Sequence, residues 1–434
     1  MAGFSHHVVC SPLTLASEIG RDVLRDGGNA ADAAVATGLT LAVAYPHMCG
    51  VGGDALAMVW AAGRLVGLDS GGALPAAAQL PPAGVPQHGI GSATVPGAPA
   101  AWTALLERFG TRPLAALAAP AIRLARSGLE RSPGLARMSA WFRPLLERDA
   151  EARRIFLADG PLVQAELAVT LERLDEFYEG PVAARAPAPF TPADFAVHRA
   201  RWVEPRRLAW EGLTVCELPP PSRGYLALEA LARLEPLTGL DPGSAEFHRR
   251  LIAVAPAAPR AADTIYLCAV DAAGMAVSLS QSLFHAFGSG VVVPGTGVLL
   301  HNRGAYHTRA TYRGGARPVH TLAPAMALRD ERPHLVFGTM GGDAQVQIHL
   351  QLLARIVVAG QPVADAVAAP RWTHDGAQVL VESGLPPLGP LPDGLVATPM
   401  PLPDLAGHAH VVRLQDGARE SACDPRSDGV PVGD

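Results

Sequence analysis

Residues 263–305 read DTIYLCAVDAAGMAVSLSQSLFHAFGSGVVVPGTGVLLHNRGA. Thr264 to Val270 carries the alternation and the β-branched and aromatic content of a strand. Asp271-Ala272-Ala273-Gly274 has turn chemistry, and Met275 to Leu283 reads as a second strand returning beside the first. Gly288 to Gly297 follows as a Gly-rich loop. Working outward, Leu335 to Gly338 is a short strand. It enters Met340-Gly341-Gly342-Asp343 and then a helical pattern from Ala344 to Val358. Upstream, Leu15 to Arg25 reads as a helix stopped by Gly27-Gly28. Asn29 or Asp32 can cap the next helix, whose small face (Ala33, Ala34, Thr37, Leu41) suits close packing. A Gly-rich turn, CGVGGDALAMVW, leads from Cys49 into a strand. Residues 75–99 read as loop, and Pro99–Phe109 and Leu114–Ser127 as helices. The stretch 132–194 is mixed. Strands and helices gathered in separate blocks indicate an α+β protein with antiparallel sheets.

The composition narrows the function. With 434 residues and 49% hydrophobic content, the chain can bury a large core. A net charge of −5 without a basic block speaks against a nucleic-acid surface. There is no lysine, which excludes a Schiff-base lysine, a P-loop lysine and a Ser-Lys dyad together. The five cysteines form no CxxC pair, so neither a disulfide framework nor a thiolate zinc site is expected. His6, His7 and Cys10 cluster near the start, but no metal is assigned to them. The longest apolar run, Ala33 to Tyr45, is shorter than the ~20 residues of a membrane span. The N-terminus MAGFSHHVVCSP lacks a secretory pattern. The expectation is a cytoplasmic protein with no cofactor, no membrane partner and no nucleic-acid partner. Gly50-Val51-Gly52-Gly53 lacks the spacing of a dinucleotide fingerprint.

Three stretches together resemble the γ-glutamyltransferase family. They are residues 15–54 (LASEIGRDVLRDGGNAADAAVATGLTLAVAYPHMCGVGGD), residues 263–305, and residues 317–347 (RPVHTLAPAMALRDERPHLVFGTMGGDAQVQ). SATVPGAPAAWTALLERFGTRPL and FAVHRARWVEP link them more weakly. The finer pattern is most similar to the oxamate-amidohydrolase-like branch. The telling phrases are the Asp-Thr before the strand, HAFGSGVVVPGTG, HNRGA, HTLAPAM and a C-terminal Asp-Pro-Arg-Ser-Asp-Gly. The resemblance implies an N-terminal-nucleophile hydrolase with a four-layer αββα sandwich. The precursor would be cut between Asp263 and Thr264 into a large chain, 1–263, and a small chain, 264–434, intertwined as one domain. It also implies an amidohydrolase or acyltransferase acting through an acyl-enzyme, with water as acyl acceptor. The assembly would be a homodimer or a heterodimer of the processed chains.

The chemistry follows residue by residue. A threonine hydroxyl is a weak nucleophile and needs a base. Cleavage before Thr264 would give it a free α-amine with a pKa near 7.7–8.0, so the base is carried by the nucleophile itself. Ser282 resembles the family hydroxyl that assists Thr264. Gly341 and Gly342 precede a helix, where unpaired N–H groups can hold an oxyanion. Arg303 can grip a carboxylate with two hydrogen bonds. Asn302, His285, His320 and Thr321 fall on matched positions expected to line the pocket.

The sequence also departs from the family. Gly71, in Leu68-Asp69-Ser70-Gly71-Gly72, stands where an arginine would hold a glutamyl carboxylate. Phe284 and Ala305-Tyr306 replace the groups that would hold the amine. A glutamyl zwitterion entering such a site would leave charges unpaired, at several kcal/mol each. The tract between Ile252 and Thr264 is also much shorter than the family's. The expected substrate is therefore a small, oxamate-like amide bearing a carboxylate. The alternatives are a γ-glutamyl hydrolase or transferase that uses different contacts, and a non-cleaving binding protein.

Overall fold

The computed structural model describes residues 2–260, 262–415 and 417–434. Two seven-stranded antiparallel sheets lie face to face. The first runs, edge to edge, Val432–Gly433, Val8–Cys10, Asp263–Val270, Ala276–Phe284, Asp54–Ala61, Arg64–Asp69 and Arg201–Val203. The second runs Ala2–Phe4, Ala418–Cys423, Ala409–Gln415, Arg332–Thr339, Ala325–Arg329, Leu213–Glu217 and Arg206–Trp210. Each stacks helices on its outer face, giving the αββα sandwich of the N-terminal-nucleophile hydrolases.

The central hairpin shows how alternation builds the layers. Ile265, Leu267 and Ala269 point to the helices beneath the first sheet. Tyr266, Cys268 and Val270 point between the sheets, against Met326, Val336 and Val412. A strand flanked on both sides is apolar on both faces, which is why the sequence alternation there is imperfect.

The helix Thr14–Arg25 and the helix Ala30–Ala44 lie under the first sheet. Asn29 caps the second, its side chain accepting from Ala31 and Asp32, while Asp32 accepts the Asn29 N–H. The two candidate caps thus act together as a capping box. This helix is buried around its whole circumference rather than on one small face. Neighbours cover the rest: Gly38, for instance, leaves room for the Gln281 side chain, which donates to the Gly38 carbonyl at 2.8 Å.

The mixed stretch 132–194 is a string of short helices. The Gly288–Gly297 loop contains half of a small hairpin, Val292–Val293 paired with Val298–Leu299. The last long helix is regular over Gln345–Leu353 and widens to a π-turn over Ala354–Val358. Among the described residues no helix is long and apolar enough to cross a membrane.

Candidate active site

The ladder between Asp263–Val270 and Ala276–Phe284 slips by one residue beside the expected nucleophile. Asp263 pairs with Phe284 but Ile265 with Gln281, so the returning strand carries an extra residue. Such a bulge re-aims side chains at a sheet end. Here Thr264 and Ser282 come together, both about 1% exposed. Thr264 Oγ1 donates to Ser282 Oγ at 3.2 Å, and Ser282 Oγ donates to the Asp263 carbonyl at 2.7 Å. Ser282 Oγ also accepts the Phe284 N–H at 2.7 Å. One hydroxyl therefore touches both the threonine and the carbonyl of the bond before it. Phe284 has φ +77°, a region that costs a bulky residue about 1–3 kcal/mol. The Asp263 carboxyl accepts the Ala286 N–H at 2.8 Å. Burial pushes its pKa up to about 6.

Arg303 is no surface arginine. It is 1% exposed and makes no ion pair among the described residues. Its Nη2 donates to Thr321 Oγ1 at 3.0 Å, its guanidinium lies 4.1 Å over the Phe284 ring, and its Nη1 has no partner. Burial pulls its pKa down to about 10, which leaves it charged at neutral pH. His285 stacks on the other side of this pile, 4.2 Å from Phe284. Asn302 holds His285 by accepting its backbone N–H and donating to its Nδ1 at 2.9 Å. Burial, then His88 and Arg303, take His285 down to about 4, so the ring is neutral.

His320 does not line the open cavity. It turns inward, its Nε2 3.0 Å from Asp54 Oδ2, with His301 Nδ1 3.4 Å from the same oxygen. Asp54 stands opposite Ser282 on the neighbouring strand. Burial raises its pKa, but His301, His320 and Arg303 outweigh that and hold it well below the carboxylate range. Burial and the Arg303 charge keep His320 near 4. At neutral pH the contact is thus a hydrogen bond from a neutral ring to a carboxylate. The Gly71 departure has its reason here: a Cβ on Gly71 would come within 3.0 Å of His320 Cδ2. Arg317 bridges the neighbouring Asp69 carboxylate at 2.7 Å and donates to the Gly71 carbonyl at 2.9 Å.

Gly341 (φ +130°) and Gly342 (φ +61°) form the turn before the helix, in conformations that favour glycine. Residues 256–260 cross this turn as a strap. The Asp343 N–H donates to the Arg260 carbonyl at 3.0 Å, and Arg260 Nη1 donates to the Ala305 carbonyl at 2.9 Å. Gln347 Nε2 holds the Pro256 carbonyl at 2.7 Å, and the Ala258 N–H donates to the His374 carbonyl at 2.8 Å. The Asp343 side chain accepts from Tyr306 OH at 2.7 Å and pairs with Arg223 Nε at 3.2 Å, while its Oδ2 has no partner. A cavity of about 520 Å³ opens beside the strap, reaching Asp263, His285 and Gly341.

Comparison with known proteins fits this geometry. The gamma-glutamyltranspeptidase family profile matches residues 16–255 and 243–433. The chain belongs to the γ-glutamyltranspeptidase family. Among its relatives in that family, a glutathione hydrolase-like YwrD proenzyme of Bacillus subtilis is 30% identical, with 98% of each chain covered. An oxamate amidohydrolase proenzyme of Klebsiella pneumoniae is also 30% identical, over 99% of this chain and 98% of its own. The solved structure of a cephalosporin acylase from Bacillus halodurans superposes with a TM-score of 0.91 at 28% identity, covering 100% of this chain and 96% of that one. As a γ-glutamyltranspeptidase-family protein, the chain is an amidohydrolase or acyltransferase of the N-terminal-nucleophile type.

Sequence reasoning missed Asp54, Arg223, Arg260 and Asp343 as members of this neighbourhood. Asp54 ends the Gly-rich run from Cys49, and Asp343 follows the Gly-Gly pair. A carboxylate directly after glycines was the only signal available for either. His7, from the N-terminal cluster, instead meets Asp434 at 2.8 Å.

Proposed function

We propose that this chain is the precursor of an amidohydrolase that cuts its own Asp263–Thr264 bond and then uses Thr264 as nucleophile. The observation that carries the reading is the Ser282 hydroxyl, 3.2 Å from Thr264 Oγ1 and 2.7 Å from the Asp263 carbonyl. The same hydroxyl polarises the carbonyl to be attacked and receives the hydroxyl that attacks it. After cleavage the Thr264 α-amine takes the Oγ1 proton as Oγ1 attacks the substrate amide carbonyl. Gly341 and Gly342 N–H groups stabilise the oxyanion, the amine leaves with the proton, and water releases the acyl group. The products 1–263 and 264–434 stay together, because Val8–Cys10 and Asp54–Ala61 flank the hairpin that follows the cut. All five cysteines are unpaired, which suits a reducing, cytoplasmic setting.

The substrate we propose is a small amide with a carboxylate next to the scissile bond, as in oxamate. Arg303 supports this with a buried charge and an Nη1 that lacks an acceptor. It lies against Phe284 and Tyr306, with Arg260 of the strap over the Tyr306 ring, and this reading requires the strap to withdraw for substrate to reach it. A second reading, a γ-glutamyl substrate, draws support from the unpartnered Asp343 Oδ2, which could meet an ammonium group. The test is release of ammonia from oxamate by processed protein, beside a γ-glutamyl chromogenic substrate. Oxamate turnover supports the first reading; γ-glutamyl turnover alone supports the second.

A further inference from the structure

A second cavity, of about 270 Å³, opens against Gly71, and none of Thr264, Ser282, His285, Arg303 and His320 lines it. Arg199, Arg201 and Arg317 form its charged wall. Two of them belong to the run His198-Arg199-Ala200-Arg201-Trp202, which no catalytic step above uses. Arg199 donates through Nη1 to the carbonyls of Ala196 and His198 at 2.8 and 2.6 Å. Neither Arg199 nor Arg201 forms an ion pair among the described residues. Arg317 is held by Asp69 and the Gly71 carbonyl through Nη2 and Nε, which leaves its Nη1 free of hydrogen bonds among the described residues. The one acid in the lining, Asp194, is already engaged. Its Oδ1 accepts the Ala76 N–H at 2.7 Å, and its Oδ2 accepts the Thr191 N–H and hydroxyl at 2.8 and 2.7 Å. His198 adds no charge: burial, with Arg317 and Arg201 nearby, takes it down to about 4.

The charge of this wall assigns its occupant. A concave surface of one sign concentrates the opposite ion, and a guanidinium fork matches the oxygens of a phosphate or carboxylate. Arg199 and Arg201 are two positive charges without an acid, so two negative charges balance them. The volume suits a small molecule rather than a polymer. Leu74, Val95 and Val197 leave room for a compact apolar body behind the charged head.

We propose that Arg199, Arg201 and Arg317 bind a small dianion, a phosphate group or a compact dicarboxylate, and that its binding tunes the candidate active site. The link is the backbone of Gly71 and Gly72. Arg317 Nε holds the Gly71 carbonyl at 2.9 Å, and the Gly72 N–H donates to Asp54 Oδ1 at 3.2 Å. The open side of Gly71 faces His320, where a Cβ would come within 3.0 Å of Cδ2. A dianion that draws on Arg317 therefore pulls the segment that holds Asp54 and packs on His320. The binding stands apart from the hydrolytic reading above; the effect on turnover rests on it.

The experiment is titration calorimetry on the uncut Thr264→Ala chain with inorganic phosphate, malonate and, at matched ionic strength, chloride. The expected result is saturable binding of phosphate or malonate at one site. Adding Arg199→Glu and Arg201→Glu should weaken it at least about tenfold. Both side chains are exposed, so the fold does not depend on them. A response to phosphate alone assigns a phosphoryl ligand, and one to malonate alone a dicarboxylate. No saturable binding, equal binding by the doubly substituted chain, or an equal response to chloride overturns the site. On processed protein the bound anion should change KM for the hydrolysed amide at least about fivefold in wild type and leave Arg199→Glu/Arg201→Glu unchanged. Binding with unaltered kinetics overturns the tuning. If no amide is cleaved, the hydrolytic reading fails and calorimetry alone decides the anion site.

Discussion

The backbone N–H of Asp343 donates to the carbonyl of Arg260 at 3.0 Å. This bond joins the turn expected to hold the oxyanion to the strap that precedes the expected cleavage point. The uncut chain therefore covers part of the candidate site, and cleavage at the expected point would free one end of the cover.

Wild-type protein should resolve into fragments 1–263 and 264–434 on denaturing electrophoresis, with the smaller beginning at Thr264. Thr264→Ala should stay whole and inactive, since no hydroxyl remains to attack the Asp263 carbonyl. Cutting of the alanine variant at the same bond would exclude the mechanism.

Ser282→Ala removes the contact shared by Thr264 and the Asp263 carbonyl. Losing one hydrogen bond to a reacting group costs about 1–3 kcal/mol. Both the rate of self-cleavage and kcat of the processed protein should fall accordingly. Time courses at wild-type speed in both assays would remove Ser282 from the site.

The Asp263 carboxyl, raised to about 6 by burial, makes the uncut chain pH-sensitive. Below the ordinary carboxylate value both folded and unfolded chains carry the proton, and there is no penalty. Between there and about 6 the unfolded chain ionises first, so the folded state loses stability as pH rises. The loss reaches roughly 2–3 kcal/mol above that window. In the Thr264→Ala background, Asp263→Asn should therefore be more stable at pH 8, with the gap closing as pH falls toward 4. Denaturant melts across that range measure it; a constant gap would contradict the prediction.

Arg303→Ala should raise KM for a carboxylate-bearing amide far more than it lowers kcat. Removing one partner of a buried charged contact costs roughly 2–5 kcal/mol. Arg303→Lys should recover only part, because an ammonium lacks the planar fork that reaches Thr321 and stacks on Phe284. Equal KM values for the three proteins would take Arg303 out of substrate binding.

Asp54→Asn should destabilise the fold by about 3 kcal/mol, since Arg303 would keep its buried charge with its stronger carboxylate neighbour gone and only Asp343 left. Chemical denaturation of the Thr264→Ala chain with and without the substitution gives the value. No measurable change would show that Asp54 is not the counter-charge.

The sequence by itself determined the pieces whose physics is local. The Asp271–Gly274 turn sets the hairpin, Asn29 or Asp32 caps a helix, and Gly341-Gly342 breaks the chain before the last long helix. Each depends on neighbours a few residues away, so periodicity and turn chemistry reveal it. The family resemblance added the layer order and the candidates Thr264 and Ser282. Tertiary structure alone decided where the polar side chains look. Asp54 and His320 are 266 residues apart, and nothing in either local pattern says that they meet. The register of two sheets brings them together, turns His320 away from the cavity and buries Arg303 behind Phe284. The strap over Asp343 is likewise a long-range fit. A side chain's partner depends on which surfaces pack together, and packing is a property of the whole chain.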